Sequence, residues 1–335
     1  MKYIRFSLLL IFILSITDVY SQSWKRERDH IVLGLGGTGF MGDLGGSTKE
    51  GSQYMRDYNF SSMRPVGLLG YRYFFIQDAA VRGHLAFGYI SGDDSHIKLD
   101  GPASPDDVIA AHYRLNRNLN FRSPILELGV QAEYYFLRAY QMGARYRRLT
   151  KARGWFGYNF SAYAFLGING FYFNPQGKFE SANYKGSVAA EDLPSDGWYS
   201  LRPLKTEGQD YFSTRSQYSP VSISIPFGLG AIFVINRQLS VGLEYGFRTT
   251  WTDYIDDVSR TYVDPAIYSE MYAGDPHKIA LAEYFSNPTI GILGDNATYP
   301  GQQRGNPHNT DAYMFTLITV YYNVPQKRGP GLPRF

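Results

Sequence analysis

Two adjoining stretches constrain this chain most. Val221, Ile223, Ile225, Phe227, Leu229, Ala231, Phe233 and Ile235 hold every second position, with Ser222, Ser224, Pro226, Gly228 and Gly230 among the residues between them. Leu239, Val241, Leu243, Tyr245 and Phe247 then alternate with Ser240, Gly242, Glu244, Gly246 and Arg248. Side chains of a strand point to opposite faces in turn, so this pattern describes strands with one apolar and one small or polar face. Asn236-Arg237 is all that separates the two, which makes them a tight hairpin.

Six more segments complete a set of eight strands. Ile31, Leu33 and Leu35 share a face, as do Val81, Leu85, Phe87 and Tyr89 opposite Arg82 and His84. Leu126, Leu128, Val130, Ala132, Tyr134 and Phe136 oppose Glu127, Gln131 and Glu133, and Phe160, Ala162, Ala164, Leu166 and Ile168 oppose Asn159, Ser161 and Asn169. Stretches 63–73 and 313–324 alternate less clearly, because both of their faces are fairly apolar. Connections at about 41–61, 93–119, 175–218 and 252–310 are long, and those at 74–79 and 236–237 are short. The link 138–157 is long where that rhythm requires a short one.

After the first residues no apolar run is long enough for a transmembrane helix, yet the chain holds 29 Tyr and 35 Gly. Weak, spread-out hydrophobicity of this kind suits a membrane barrel, in which alternate residues touch lipid. The expected fold is all-β: a transmembrane antiparallel β-barrel of eight strands, with long extracellular loops and short periplasmic turns. A soluble β-sandwich is the rival, but it has no need of such loop asymmetry. Residues 1–21, with Lys2, Arg5, an apolar run at 6–16 and Ser21 before Gln22, read as a cleaved export signal. The barrel then occupies 22–324 and a periplasmic tail 325–335. The expected location is the outer membrane, with both termini in the periplasm.

An eight-stranded barrel is just wide enough to be filled by its own side chains. Alternation sends Arg72, Arg82, Glu127, Glu133, Glu244 and Arg248 inward, and buried charges of both signs persist when paired. A plug of salt bridges is expected, rather than a diffusion pore.

Other chemistry is thin. The chain has no cysteine, which excludes disulfides, thiolate metal sites and a lipid-modified N-terminal Cys, and a net charge of +3 does not point to nucleic acid. Gly34-Leu35-Gly36-Gly37-Thr38-Gly39 lies within a strand and opens no helix, so it reads as small strand residues rather than a nucleotide loop. Asp93, Asp94 and His96 invite a rim hydrolase reading but fit a solvated loop better. Asp253, Asp256, Asp257 and Asp264 lack calcium-loop spacing and read as loop-ordering residues. No catalytic residue, cofactor or metal is expected. The link 138–157 carries Arg145, Arg147, Arg148, Lys151 and Arg153 among aromatics. It suits lipid headgroups and a protein partner equally.

Several phrases together carry a resemblance. They are Gly36-Gly37-Thr38-Gly39-Phe40-Met41-Gly42-Asp43, Asn118-Leu119-Asn120-Phe121, Phe171-Tyr172-Phe173-Asn174-Pro175, Thr206-Glu207-Gly208-Gln209 and Pro226-Phe227-Gly228-Leu229-Gly230. The most specific is Thr252-Asp253-Tyr254-Ile255-Asp256-Asp257-Val258-Ser259. In order and spacing they resemble the PorG-like barrels of the type IX secretion apparatus, over residues 31–264 and again over 311–322. The resemblance implies a non-catalytic outer-membrane component that anchors or positions the apparatus, attached to PorK–PorN-like periplasmic ring proteins and other secretion components. In some members it implies gliding motility. It supplies no catalytic residue. Stretch 265–310 is longer than the corresponding loop, and the tail 325–335 continues past the last strand, either replacing the usual assembly signal or serving as a docking peptide. The alternatives are a rim enzyme acting on peptides or lipid A, and an adhesin or receptor using the outer loops.

Overall fold

The structure is a computed structural model and describes residues 28–44, 62–97, 105–137, 160–236 and 238–325. Eight of its strands form the barrel: β1 (Asp29–Met41), β2 (Arg64–Ile76), β3 (Ala79–Asp93), β4 (Asn120–Leu137), β5 (Phe160–Phe173), β8 (Val221–Val234), β9 (Leu239–Thr250) and β10 (Ala312–Asn323). Two short strands, β6 (Gln176–Phe179) and β7 (Gly197–Ser200), lie outside it. Every pairing is antiparallel, and β1 meets β10 while β3 meets β4, which closes the ring without an edge.

The barrel exterior follows from the alternation. Leu35, Leu128, Leu166, Leu229, Leu243 and Ile318 stand at mid-height, each more than half exposed. Aromatic residues flank this band: Tyr71, Phe75, Tyr134, Phe136, Phe233 and Tyr322 at one end, and Phe87, Tyr89 and Tyr172 at the other. An apolar band between aromatic girdles is the surface of an outer-membrane barrel, and in water so much exposed apolar area would drive aggregation. No described helix is long and apolar enough to cross a membrane.

Glycines shape the interior. A Cβ at Gly230 would lie 2.2 Å from the Tyr163 ring, so this position makes room for a buried tyrosine. At Gly36 a Cβ would meet the Thr316 carbonyl at 1.9 Å, so the glycine-rich run serves close packing of β1 on β10. The two faintly alternating segments are barrel strands as well. Their inward Val66, Leu68, Phe74, Phe315 and Leu317 belong to the apolar parts of the lumen core, which is why both of their faces are apolar.

β2 and β3 are joined by a two-residue turn, and β8 and β9 by residues 235–238. Both lie at the end where Val324 donates its backbone N–H to the Asp29 carbonyl, so the first and last strands end together there. The link 138–157 lies outside the described residues, as do 1–21 and most of the tail.

The opposite end is where sequence and structure differ. Stretches read simply as long loops fold into a cap. It holds the β6–β7 hairpin, α1 (Pro105–Arg117), α2 (Ala266–Met271) and α3 (Pro276–Ser286). Phe179, Leu201, Leu204, Val263, Tyr268, Leu281 and Phe285 form its own core. α3 is buried along most of its length, so its sequence lacks the one-sided apolar period that marks a surface helix.

Candidate functional site

The six inward charges converge in two layers. In the lower, Glu133 is 2.8 Å from Arg72 and 3.0 Å from Arg82, and Arg82 also reaches Glu244 at 2.6 Å. Tyr163 donates to Glu244, and the Arg72 guanidinium lies 4.0 Å from the centre of the Tyr321 ring. In the upper layer Glu127 meets Arg248 at 3.2 Å and His84 at 2.9 Å, and accepts from Tyr313 at 2.7 Å. Arg248 stands 4.0 Å over Phe315. All of these groups are buried. A buried ion is retained when it is both paired and hydrogen-bonded, and here the tyrosines and rings supply the remaining contacts. Alternation places His84 on the inward face beside Arg82, and the structure adds it to the network through Glu127. Tyr313 and Tyr321 lie on the strand whose two faces are both fairly apolar, and Tyr163 shares the inward face of β5 with Ser161 and Asn169, where a tyrosine carries no charge to mark it.

Several phrases of the resemblance also come together, at the mouth opposite the chain termini. Thr252, Asp253, Tyr254, Asp256, Asp257 and Ser259 lie in the loop that leaves β9. The Thr206 hydroxyl donates to Asp257 at 2.6 Å, and the backbone N–H of Ser259 donates to Glu207 at 3.0 Å. Tyr218 donates to Asp257 at 2.7 Å. Its ring stacks between Phe173 and Tyr254, with centroid distances of 6.0 and 4.7 Å. Arg304 clamps the assembly, reaching Glu207 at 2.9 Å and the Asp257 carbonyl at 2.8 Å. On the near side Arg117 holds Asp94 at 2.8 Å and donates to the carbonyls of Arg304 and Asp43. No local signal in the sequence marks Arg304, Arg117 or Tyr218, since each acts across a long separation.

Electrostatics set this mouth apart. Burial pushes Asp257 up to about 6 against the pull of Arg304, Thr206 and Tyr218. Burial, with Asp43 and Glu207 adding repulsion, pushes Asp253 up to about 8. Asp256 is driven well above the carboxylate range by burial and then by Asp43 and Asp253, and Asp311 by burial and then by Asp256, Asp253 and Asp43. Asp264 is not part of this group: it accepts from the Ala266 N–H two residues on, in the turn that leads into α2.

The residues considered for a rim hydrolase do not assemble one. Asp94 is fully committed to Arg117 and the Leu119 N–H, and Asp93 accepts from Ser95. Among the described residues no three acidic or histidine groups stand ready to hold a metal ion. A cavity of about 400 Å³ opens between α1 and residues 297–305, lined by Ile109, Tyr113, Arg114 and Gln303 among others. Arg145, Arg147, Arg148, Lys151 and Arg153 lie outside the described residues.

No family model matches the chain, and no curated protein does. Among solved structures it is similar to the attachment invasion locus protein Ail of Yersinia pestis, crystallised with the heparin analogue sucrose octasulfate. The match has 10% identity, 88% of this chain and 98% of that one covered, and a TM-score of 0.32. Neisserial surface protein A gives 7% identity, 88% and 97% coverage and a TM-score of 0.32. The outer membrane protein OprG of Pseudomonas aeruginosa gives 10%, 88% and 96%, and 0.31. Likenesses this distant carry no function across, and the chain stands on its own geometry as an outer-membrane β-barrel.

Proposed function

We propose that this barrel is a non-catalytic anchor in the outer membrane that positions the type IX secretion apparatus by holding its periplasmic ring. One observation carries the reading. At the end where the chain termini meet, two connections are tight turns, whereas β4 and β5 are joined by residues 138–159. A barrel that only sits in lipid needs a tight turn there too. The extra chain is rich in arginine and aromatic residues, which supply most interface hot spots. The filled lumen is consistent with a fixture rather than a conduit, and the resemblance of the mouth phrases to PorG-like barrels names the apparatus.

The test replaces Arg145, Arg147 and Arg148 by Glu. Opposed like charges cost about several kcal/mol at an interface, so co-purification of the ring proteins should fall at matched abundance of the barrel. Unchanged recovery would overturn the assignment of this link as the docking surface. A second reading, a receptor acting through its outer loops, is favoured by the cavity beside α1. It requires that intact cells bind a ligand in a manner abolished by Tyr113→Ala.

A further inference from the structure

The cavity beside α1 plays no part in the anchor reading, yet its lining has a definite chemistry. One wall is a stripe of α1 on which Asp106, Ile109, Tyr113 and Arg117 follow one another at helical spacing, with Arg114 alongside. The facing wall is the strip that carries Gln302, Gln303 and Arg304, and Asp43 joins the lining from the end of β1. Ile109 and Tyr113 are more than half exposed, and Gln302 and Gln303 are exposed too, whereas Arg114 and Arg304 are buried. The lining thus runs from an open rim of ring, aliphatic and amide groups down to guanidinium groups.

Both walls are fixed by bonds within the protein. The Tyr262 N–H donates to the Gln302 carbonyl at 2.9 Å, and the Arg260 carbonyl accepts from the N–H groups of Arg304 and Gly305 at 2.7 and 2.9 Å. Arg117 spans the two walls, donating to the Arg304 carbonyl at 2.6 Å and to the Asp43 carbonyl at 2.5 Å while its charge meets Asp94. The far end of α1 is closed by the Asn118 N–H on the Arg114 carbonyl at 3.1 Å, and the Asn116 carbonyl accepts from the Thr289 hydroxyl at 2.8 Å. Small-molecule sites are largely formed before the ligand arrives, and a braced wall spares the entropy of ordering it on binding.

The geometry points to a binding site for a neutral mono- or disaccharide. The assignment rests on the receptor reading of this cavity and names its ligand class. The volume of about 400 Å³ lies near the lower end of the range of about 300–1,000 Å³ for small-molecule pockets. Charge argues for a neutral ligand, since an anion would meet Asp43 and Asp106 and a cation would meet three arginines. Two of those arginines are neutralised within the fold, Arg117 by Asp94 and Arg304 by Glu207. An apolar ligand would strip water from the amides and the Asp106 carboxylate without replacing its hydrogen bonds. An extended peptide needs a groove or a sheet edge, which a compact cavity does not offer. A sugar hydroxyl both donates and accepts, so a ring of them answers the carboxylate of Asp106 and both ends of the Gln302 and Gln303 amides. The C–H face of the same sugar is apolar and suits the exposed surfaces of Ile109 and Tyr113.

The test uses the full-length barrel refolded in lauryldimethylamine oxide, a detergent without a sugar headgroup. The probes are arrays of neutral saccharides, acidic saccharides and short peptides, together with the saccharide released from the lipopolysaccharide of the producing cells. Neutral saccharides should bind the wild type. Titration calorimetry with the best of them should show a dissociation constant that rises about fivefold or more in Tyr113→Ala and in Gln303→Ala. Tyr113→Phe keeps the ring and should bind as the wild type does, as should Glu270→Gln elsewhere in the cap. The heat-dependent gel shift reports separately that each barrel has folded. Binding of the released saccharide would support the site with the cell's own surface as the source, and binding of other neutral saccharides alone would support it with an external glycan. The inference is overturned if no neutral saccharide binds, if acidic saccharides or peptides bind in their place, or if Tyr113→Ala and Gln303→Ala both bind as the wild type does. Saccharide binding by the purified barrel without Tyr113-dependent capture by intact cells would instead overturn the receptor reading and leave the site standing.

Discussion

The Thr206 hydroxyl donates to the Asp257 carboxylate at 2.6 Å, joining two loops 51 residues apart in sequence. Asp257 occupies the left-handed region with φ of 65°, a conformation that a non-glycine residue holds only when its surroundings fix it. Thr206 and Tyr218 do so from two sides. Thr206→Val keeps the side-chain shape and deletes the donor. Loss of a hydrogen bond to a charged group costs about 1.5–3 kcal/mol. The expected outcome is faster proteolysis of the 251–311 loop with the barrel's gel shift unchanged. An unaltered cleavage rate would show that this contact does not order the loop.

The lumen makes a different prediction. Glu244→Gln leaves Arg82 without one of its two carboxylates. Breaking one partner of a buried pair costs about 3–5 kcal/mol, whereas removing both partners together is far cheaper. Urea unfolding in lipid vesicles should therefore rank Glu244→Gln below the combined Arg82→Met and Glu244→Leu variant. The reverse order would mean that the pair is not coupled. The same filled lumen predicts no stepwise ion current in planar bilayers for the wild type.

The cap should gain stability as pH falls from about 8 toward 6. The sign follows from the carboxyl groups of Asp253 and Asp257, held in the folded cap at about 8 and about 6, both above the ordinary aspartate value. A carboxyl group raised on folding binds protons more tightly in the folded state, so its stabilising contribution is present at low pH and is lost as pH rises through the folded value. Protease protection of the 251–311 loop, measured at fixed protease activity, should fall with rising pH over this window. Protection that rises with pH would contradict the burial of these groups.

Membrane sidedness is open to a direct measurement, since the chain contains no native cysteine. Ser195 is an exposed position of the cap and Gln238 an exposed one in the β8–β9 turn. Cysteine at Ser195 should react with an impermeant reagent on whole cells, and cysteine at Gln238 only after the outer membrane is opened. Gly294 is a poorer probe because its φ of 80° disfavours any side chain. Equal labelling of Ser195 and Gln238 variants would refute the proposed orientation.

Most of the barrel could be read from the residues because lipid and lumen impose a two-residue period, and a period survives without knowledge of partners. Leu126 to Phe136 on one side and Glu127, Gln131 and Glu133 on the other declare their faces at once. The lumen charges followed, since a closed ring leaves them no exit. The cap was not legible for the opposite reason. Arg304 acts on Glu207 from 97 positions away, and Arg117 reaches the Arg304 carbonyl across 187. Nothing periodic marks such contacts. α3 was hidden because its buried residues, Ala280 to Ser286, run consecutively around the helix instead of along one stripe, a consequence of being wrapped by loops rather than laid on a surface. The mouth was legible only as a set of familiar phrases, and the chemistry that unites them, Thr206 with Asp257 and Glu207 with Ser259, required the fold.

β1 and β10 pair from His30 with Asn323 to Met41 with Ala312, so the ring is sealed by the first and last strands among the described residues. Every other junction joins strands nearer in sequence. Until the final strand arrives, β1 therefore presents a full row of unsatisfied amides, and such an edge is a template for pairing with other molecules. A chain cut short before residue 312 is for this reason a seed for aggregation rather than a smaller barrel. Its N-terminal strand must therefore be shielded until the last strand arrives, and that closure joins the two strands farthest apart in the sequence.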